Sequence, residues 1–197
     1  MNTIRQLCTR CIVLDHGKLV FDGDVEKAIE IYSQFMMQDL LQDVDLSIKN
    51  HTGVPTQPIL RMTKIHFDKP TVTYKTGDTM GIIIYTDVYK QCKDTMFRII
   101  ISAADDTPVA MATTVNPFEI EKGKFSTNIS LLGIAPGKYK LKLAMYLINE
   151  YGADQHLDVI VNAASIRIEA NSTDTKLTWN KTYWGYLQLP NLIVNEN

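Results

Sequence analysis

The sequence predicts a mainly β protein, an antiparallel sandwich of two sheets preceded by a short helix–hairpin–helix segment. After Ile59, short apolar runs alternate with turn-forming residues at roughly 8–12-residue spacing, and no long helical pattern follows. Runs such as Gly137–Asn149 alternate apolar and polar side chains, which is typical of strands with one buried face. Before Gln42, apolar residues recur at helical spacing instead. The sandwich is therefore expected to be immunoglobulin-like or jelly-roll-like.

The first elements are a helix end, a tight hairpin and an amphipathic helix. Asn2–Thr9 has helical spacing, and two short β runs follow on either side of Gly17, which supplies the positive φ of a tight turn. The helix is predicted from Val25 to about Leu41. Its apolar stripe consists of Val25, Ala28, Ile29, Tyr32, Phe35, Met36 and Leu40. We expect this stripe to pack on a missing or partner surface; its acidic polar face disfavours binding to a membrane surface.

The next residues predict a linker, and the sandwich follows it. Asn50-His-Thr-Gly-Val-Pro55 and Gln57-Pro58 are turn and extended-chain formers. We expect a first unit at 1–41, a linker at 42–58 and a sandwich domain at 59–197. Truncation near Pro58 should then leave thermal stability almost unchanged. The predicted strands are Leu60–Asp68, Thr71–Tyr74, Thr79–Val88, Thr95–Ala103, Val109–Thr114, Gly123–Leu131, Gly137–Asn149, Ser165–Glu169 and Tyr183–Val194.

Composition excludes several classes of function. The formal net charge of −2 gives no basic footprint for nucleic acid. No apolar run approaches the roughly 20 residues of a membrane-spanning helix, and we expect no signal peptide. Three cysteines suit a reducing compartment. Cys8 and Cys11 form a CxxC, but a zinc site needs four ligands, so two buried small residues are favoured over a metal or redox site.

The residues needed for catalysis are not assembled in any recognisable pattern. No GxxxxGK[ST] loop is present, so we expect no ATP hydrolysis by this chain. The four histidines are scattered, and the acid pairs Asp105-Asp106 and Glu119/Glu121 stand in turn-like contexts. We therefore expect no enzyme, no catalytic residue, no metal ligand and no cofactor in this fragment.

Aromatic and polar residues on the predicted sheets are the candidate binding residues. If three strands are neighbours, one outer sheet face carries Tyr85, Asp87, Arg98, Ser102, Lys142 and Tyr146. Tyrosines would stack on the apolar faces of sugar rings, and the polar groups would bind hydroxyls. Tyr146→Ala should then weaken binding without unfolding the chain. The same composition also fits a dimer interface, and both readings stay open.

A second group of aromatic residues lies near the C-terminus. Trp179 and Trp184 stand close in sequence to Tyr183 and Tyr186. Core packing or strand exchange between subunits explains such a cluster, and ligand stacking is the alternative. Thr79–Val88 is apolar on both faces, so it and the C-terminal segment also predict a homodimer.

The N-terminal pattern resembles the closing segment of the ATP-binding subunit of ABC transporters. The matching residues are Leu7, Cys8, Arg10, Val13, Leu14, Gly17, Gly23 and Tyr32. In the sandwich, Lys75-Thr-Gly-Asp-Thr-Met80 and Ala135-Pro-Gly-Lys-Tyr139 are similar to a strand start and a hairpin of one branch of that family. This branch is the Wzt type, the ATP-binding subunit of polysaccharide exporters, which appends a carbohydrate-binding β-sandwich to its ATPase.

The resemblance implies a function that composition does not. It implies a non-catalytic domain that recognises an O-antigen-like polysaccharide, in particular its modified terminus, before export across the inner membrane. It also implies a homodimer in the cytoplasm, held at the inner membrane by the membrane-spanning subunit of the exporter. ATP and Mg would be cofactors of the full-length protein only. The alternative is a dimerisation or regulatory domain of the transporter ATPase without direct glycan binding.

Overall fold

The computed structural model describes residues 2–15, 17–36, 40–120, 123–171 and 179–189, some of them by backbone alone. In chain order the elements are α1 (Asn2–Leu7), β1 (Cys11–Asp15), β2 (Lys18–Gly23), α2 (Val25–Met36), β3 (Asp43–Asp45), β4 (His51–Thr52), β5 (Leu60–Phe67), β6 (Thr73–Lys75), β7 (Thr79–Val88), β8 (Met96–Ser102), β9 (Pro108–Thr113), β10 (Lys124–Ser130), β11 (Gly137–Ile148), β12 (Asp154–Glu169) and α3 (Lys181–Trp184). The mainly β class predicted from the sequence is confirmed.

Two sheets form the sandwich. A four-stranded sheet has the order β10-β7-β5-β3, and a second sheet has the order β4-β12-β11-β8-β9. Both sheets are antiparallel, except that β6 joins the second sheet by pairing in parallel with β12. β11 is central in the second sheet, between β8 and β12. We call these the four-stranded and six-stranded sheets.

The core lies between the two sheets and follows the predicted alternation. On β7 the inward residues Met80, Ile82 and Ile84 are at most 2% exposed. On β11 the inward residues Tyr139, Leu141, Leu143 and Met145 are fully buried. Because side chains alternate between the two faces of a strand, these rows fix which residues point away from the core.

The N-terminal segment contains the expected helix–hairpin–helix. Val25, Ala28 and Ile29 of α2 are buried, as is Val13 of β1. Gly17 has φ +80° in the hairpin turn, as predicted. α2 ends at Met36 and Leu40 is not helical, while residues 37–39 lie outside the described range. The first part of the apolar stripe of α2 is therefore already covered within the N-terminal segment.

Two pieces of the predicted linker are strands of the sandwich. Residues 43–45 form β3, which pairs with β5, and residues 51–52 form β4, which pairs with β12. Val44 and Leu46 belong to the core, at 7% and 0% exposure. The linker prediction was wrong for these residues because two- and three-residue edge strands show no alternation in sequence. The division of the chain into domains stays a prediction.

The predicted strands after Asn149 differ most from the structure. β12 runs from Asp154 to Glu169, whereas only Ser165–Glu169 was predicted. Its polar start and a positive-φ residue, Asn162 at 58°, interrupt the alternation on which the prediction relied. The C-terminal strand prediction was wrong where the chain is described, since Lys181–Trp184 is a helical turn and only Leu187 forms an isolated bridge, with Ile134. Residues 190–194 of that prediction lie outside the described range.

Candidate functional site

The six candidate residues on strands divide between two opposite faces of the sandwich. β7, which carries Tyr85 and Asp87, belongs to the four-stranded sheet, whereas β8 and β11 are neighbours in the six-stranded sheet. The assumption that all three strands are adjacent was wrong, because strand neighbours are set by long-range pairing that alternation does not encode. One shared site is therefore excluded, and each face needs its own description.

On the outer face of the four-stranded sheet, Tyr85 is surrounded by positive charge. The Nζ atoms of Lys64 and Lys124 lie 5.3 and 5.9 Å from the centroid of its ring. Lys64 Nζ also forms an ion pair with Asp43 at 2.6 Å. Asp87 is exposed on the same strand. Cations within about 6 Å of an aromatic ring are attracted to its face, so the ring of Tyr85 already has two cationic partners within the chain.

On the outer face of the six-stranded sheet, Arg98 and Tyr146 form a packed cluster. The Arg98 Cζ atom lies 4.4 Å from the centroid of the Tyr146 ring, and Arg98 forms an ion pair with Asp154. The Tyr146 hydroxyl lies 2.6 Å from Thr113 Oγ1. The hydrogen bond from Arg98 to Asp154 raises the pKa of the guanidinium.

This packing corrects the role predicted for Tyr146. Its side chain points away from the core, as expected, but only 2% of it is exposed. Arg98 covers the ring, so the ring offers no open face for a sugar. On β8, Arg98 lies opposite Ala144 and so is a diagonal neighbour of Tyr146, and its long side chain reaches over the ring and covers it.

Ser102 and Lys142 lie together in a cavity on the same outer face. The cavity has a volume of about 250 Å³. Lys142 is half-buried and forms no hydrogen bond or ion pair with any residue in the described part of the chain. The Ser102 hydroxyl likewise has no partner among those residues. The cavity is lined by Ile100, Ser102, Asp106, Pro108, Lys140, Leu141, Lys142, Val161 and Asn162. We call it the Lys142 cavity.

A bulge in β12 forms one wall of the Lys142 cavity. The step from Leu141 to Leu143 on β11 faces the longer step from Ala164 to Ile160 on β12, so β12 carries extra residues there. A bulge of this kind re-aims side chains at the surface of a sheet. Val161 in the bulge is 49% exposed, and Asn162 has a positive φ of 58°.

An ion pair between a buried lysine and an exposed aspartate also lines the cavity. Lys140 Nζ lies 3.0 Å from Asp106 Oδ1, and the side chain of Lys140 is only 4% exposed while that of Asp106 is 62% exposed. Neither residue was predicted from the sequence to take part in a site. Their signals were present, since Lys140 lies on the outward row of β11 and Asp106 follows β8 in a turn. Only the pairing of the strands brings them together.

Trp179 and Trp184 lie in the C-terminal segment and contact each other. Their ring centroids are 5.5 Å apart in an edge-to-face arrangement. Trp179 Nε1 donates a hydrogen bond to the Gly185 carbonyl oxygen at 2.8 Å, and Trp184 remains 45% exposed. The edge-to-face contact covers part of the surface of both rings. Ligand stacking on the exposed part of Trp184 stays a prediction.

Two further observations bear on the kind of site. Among the described residues, no group of three or more His, Cys, Asp or Glu side chains is placed to hold a metal ion. In the same part of the chain, no helix is long and apolar enough to cross a membrane.

The structure is a two-sheet antiparallel β-sandwich, and a cavity on one outer face holds a serine and two lysines beside apolar side chains. No family model matches the chain, and no curated protein matches it. Among solved structures, the C-terminal domain of Wzt matches with a TM-score of 0.59 at 12% identity, covering 84% of this chain and 95% of that one. The fold is therefore similar to that of the Wzt C-terminal domain.

Two other solved structures match less well. A Niemann-Pick type C2 protein from the Japanese carpenter ant has a TM-score of 0.34 at 10% identity, covering 62% of this chain and 99% of its own. The CARDB domain of a Pyrococcus furiosus protein, solved with di-metal ions, has a TM-score of 0.29 at 12% identity, covering 67% and 98%.

Proposed function

We propose that this chain is a glycan-recognition domain of a polysaccharide ABC exporter, without catalytic activity of its own. It binds an O-antigen-like polysaccharide through the modified terminus of the glycan. The Wzt-like fold supports this proposal, as does the order of elements, in which a segment resembling the tail of an ABC ATPase precedes the sandwich.

The Lys142 cavity is the observation that carries the proposal. A sugar presents apolar C–H faces and hydroxyls that need fixed partners. The cavity offers apolar side chains in Ile100 and Val161. Beside them lie the hydroxyl of Ser102 and the ammonium of Lys142, neither of which has a partner among the described residues. Polar groups already exposed to water in the free protein bind a ligand hydroxyl without first breaking an internal hydrogen bond. Recognition sites typically combine an apolar lining with a few such polar groups.

The assembly of the full protein belongs to the same proposal. The domain acts in the cytoplasm, next to the inner membrane, where the membrane-spanning subunit of the exporter holds the ATPase to which it is joined. It works as a homodimer. The half-buried outward row of β7 and the exposed hydrophobic residues Tyr183, Leu187 and Leu189 support a dimer, because both surfaces present apolar groups that a second copy would cover.

Calorimetric titration of the chain with the polysaccharide of its own source strain tests the proposed function. We expect saturable binding at about millimolar to micromolar dissociation constants, since a cavity of about 250 Å³ holds only a small part of a polysaccharide. Dextran provides the matched neutral control and should give no saturable heat. Absence of binding by the folded chain would contradict glycan recognition and favour the alternative, a dimerisation or regulatory domain.

A further inference from the structure

The Lys142 cavity carries more positive than negative charge. Lys140 and Lys142 contribute two ammonium groups, and Asp106 contributes one carboxylate. Asp106 is committed to Lys140 by the 3.0 Å ion pair, and no described acidic residue pairs with Lys142. Asp105, the other acid of this turn, is bound to Arg5 on α1. One positive charge in the cavity is therefore left without a partner among the described residues.

The two lysines differ in how they meet solvent. The side chain of Lys140 is 4% exposed, so its charge is held in place by the surrounding packing and by Asp106. Lys142 is half-buried, two residues further along β11 on the same face. Partial burial weakens the screening of a charge by water, so an anion at Lys142 is bound more strongly than at an exposed lysine. The cavity thus combines Lys140, a buried cation held by an ion pair, with Lys142, a half-buried cation that has no partner within the described part of the chain.

We infer that the Lys142 cavity binds the acidic substituent of a glycan, a carboxylate or a phosphate ester on a sugar. Lys142 Nζ donates a charge-assisted hydrogen bond to the anionic oxygen, and the Ser102 hydroxyl donates a second one. Ile100 and Val161 contact the apolar face of the same sugar. The ligand of this domain is then an acidic polysaccharide, or one with an acidic terminus. The inference rests on the proposed function and names its substrate class.

The neighbouring surfaces do not offer the same chemistry. On the four-stranded sheet, Lys64 is paired with Asp43, and both Lys64 and Lys124 lie against the Tyr85 ring. On the six-stranded sheet, Arg98 is paired with Asp154. These cations have partners within the chain, so binding an anion there would disrupt an existing contact.

NMR titration of the full chain with small sugars tests the inference. The probes are glucuronate for the carboxylate, glucose 6-phosphate for the phosphate and glucose as the neutral match. We expect the better acidic probe to bind about tenfold more tightly than glucose, as one charge-assisted hydrogen bond predicts. Its shifts should centre on Ser102 and Lys142. The two acidic probes show which anionic group the cavity prefers.

Two lysine variants provide the decisive comparison. Lys142→Gln should bind the acidic probe no better than glucose, whereas Lys138→Gln, on the same strand but exposed and outside the cavity, should keep the full preference. Thermal unfolding of both variants checks that they remain folded. Equal binding of glucose and the acidic probes, or an unchanged preference in Lys142→Gln, would overturn the inference and leave glycan binding intact. If neither these probes nor the source polysaccharide binds, the proposed function fails as well.

Discussion

His51 Nδ1 lies 2.7 Å from Asp158 Oδ1, and both side chains are buried, at 4% and 0% exposure. The second ring nitrogen of His51 lies 2.9 Å from the Leu46 carbonyl oxygen. Asp158 Oδ2 accepts a hydrogen bond from the Met62 backbone N–H at 2.7 Å. Because Met62 lies on β5 and Asp158 on β12, this cluster joins the two sheets and fixes the edge strand β4.

His51→Ala should therefore destabilise the fold strongly. Removing the imidazole takes one hydrogen-bond partner from the buried Asp158 side chain and from the Leu46 carbonyl, and a buried polar group left unsatisfied typically costs about 1–3 kcal/mol or more of unfolding free energy. Urea denaturation measures the loss. His66→Ala is the matched control, because His66 also contacts an aspartate, Asp43 at 3.0 Å, but in an exposed setting. Equal, small effects of both substitutions would contradict the buried link.

Two N-terminal truncations should differ in stability, according to whether they keep the edge strands β3 and β4. A chain beginning at Leu41 keeps β3 and β4, whereas one beginning at Pro58 loses Val44, Leu46 and His51. The shorter chain should lose about 3 kcal/mol or more of unfolding free energy, since each buried aliphatic side chain contributes about 1.5–3 kcal/mol. This reverses the expectation from sequence that truncation near Pro58 is nearly neutral. Chemical denaturation of the two chains checks it, and equal stabilities would contradict the role of the edge strands.

The contact between α1 and the sandwich should weaken in acid. Arg5 Nη1 lies 2.8 Å from Asp105 Oδ2. Burial opposes ionisation of Asp105, but hydrogen bonds from Arg5 and Thr107 outweigh it and lower its pKa. A lowered pKa stabilises the fold above the ordinary aspartate value of about 3.9, and this stabilisation is lost as the pH falls through the folded value.

Thermal unfolding of Asp105→Asn at pH 7 and pH 3 measures that contribution. The wild-type chain should unfold at a higher temperature than the variant at pH 7, and the difference should shrink at pH 3. Asp87→Asn, an exposed residue with no ion pair to a described residue, should match the wild type at both pH values. A wild-type advantage that persists at pH 3 would contradict the linkage.

Substitutions at Tyr146 should lower the free energy of unfolding, because the ring is buried and is not a glycan-binding surface. Tyr146→Ala removes a buried ring and should cost about 3–5 kcal/mol. Tyr146→Phe loses only the hydrogen bond to Thr113, worth about 1 kcal/mol. Urea denaturation ranks the two variants. If Tyr146→Ala is as stable as the wild type and binds glycan less well, the ring is a binding surface after all.

Sequence predicted most of the strands because their alternation is a local property. β7 was predicted at its observed bounds, Thr79–Val88, and β11 to within one residue. β12 was mostly missed because its exposed residues 154–156 and its bulge at Asn162 break the alternation. β3 and β4 are too short to alternate, and only their pairing partners make them strands.

The candidate site was harder to predict than the strands. Alternation correctly placed Ser102 and Lys142 on outward rows, and the structure brings them into one cavity. It did not show that β7 lies in the other sheet, because adjacency depends on pairing between distant segments. Nor did it show the burial of Tyr146, which depends on Arg98 from a neighbouring strand. The ion pair of Lys140 with Asp106 has the same long-range origin.

Mapping a glycan fragment onto the chain by NMR tests the central claim most directly. The fragment is a terminal oligosaccharide released from the polysaccharide of the source strain. If the Lys142 cavity binds the glycan, the amide shifts centre on Ile100, Ser102, Lys142 and Val161, with little change near Tyr85 or Trp184. Shifts centred on Tyr85 or on Trp184, with none at the Lys142 cavity, would contradict it.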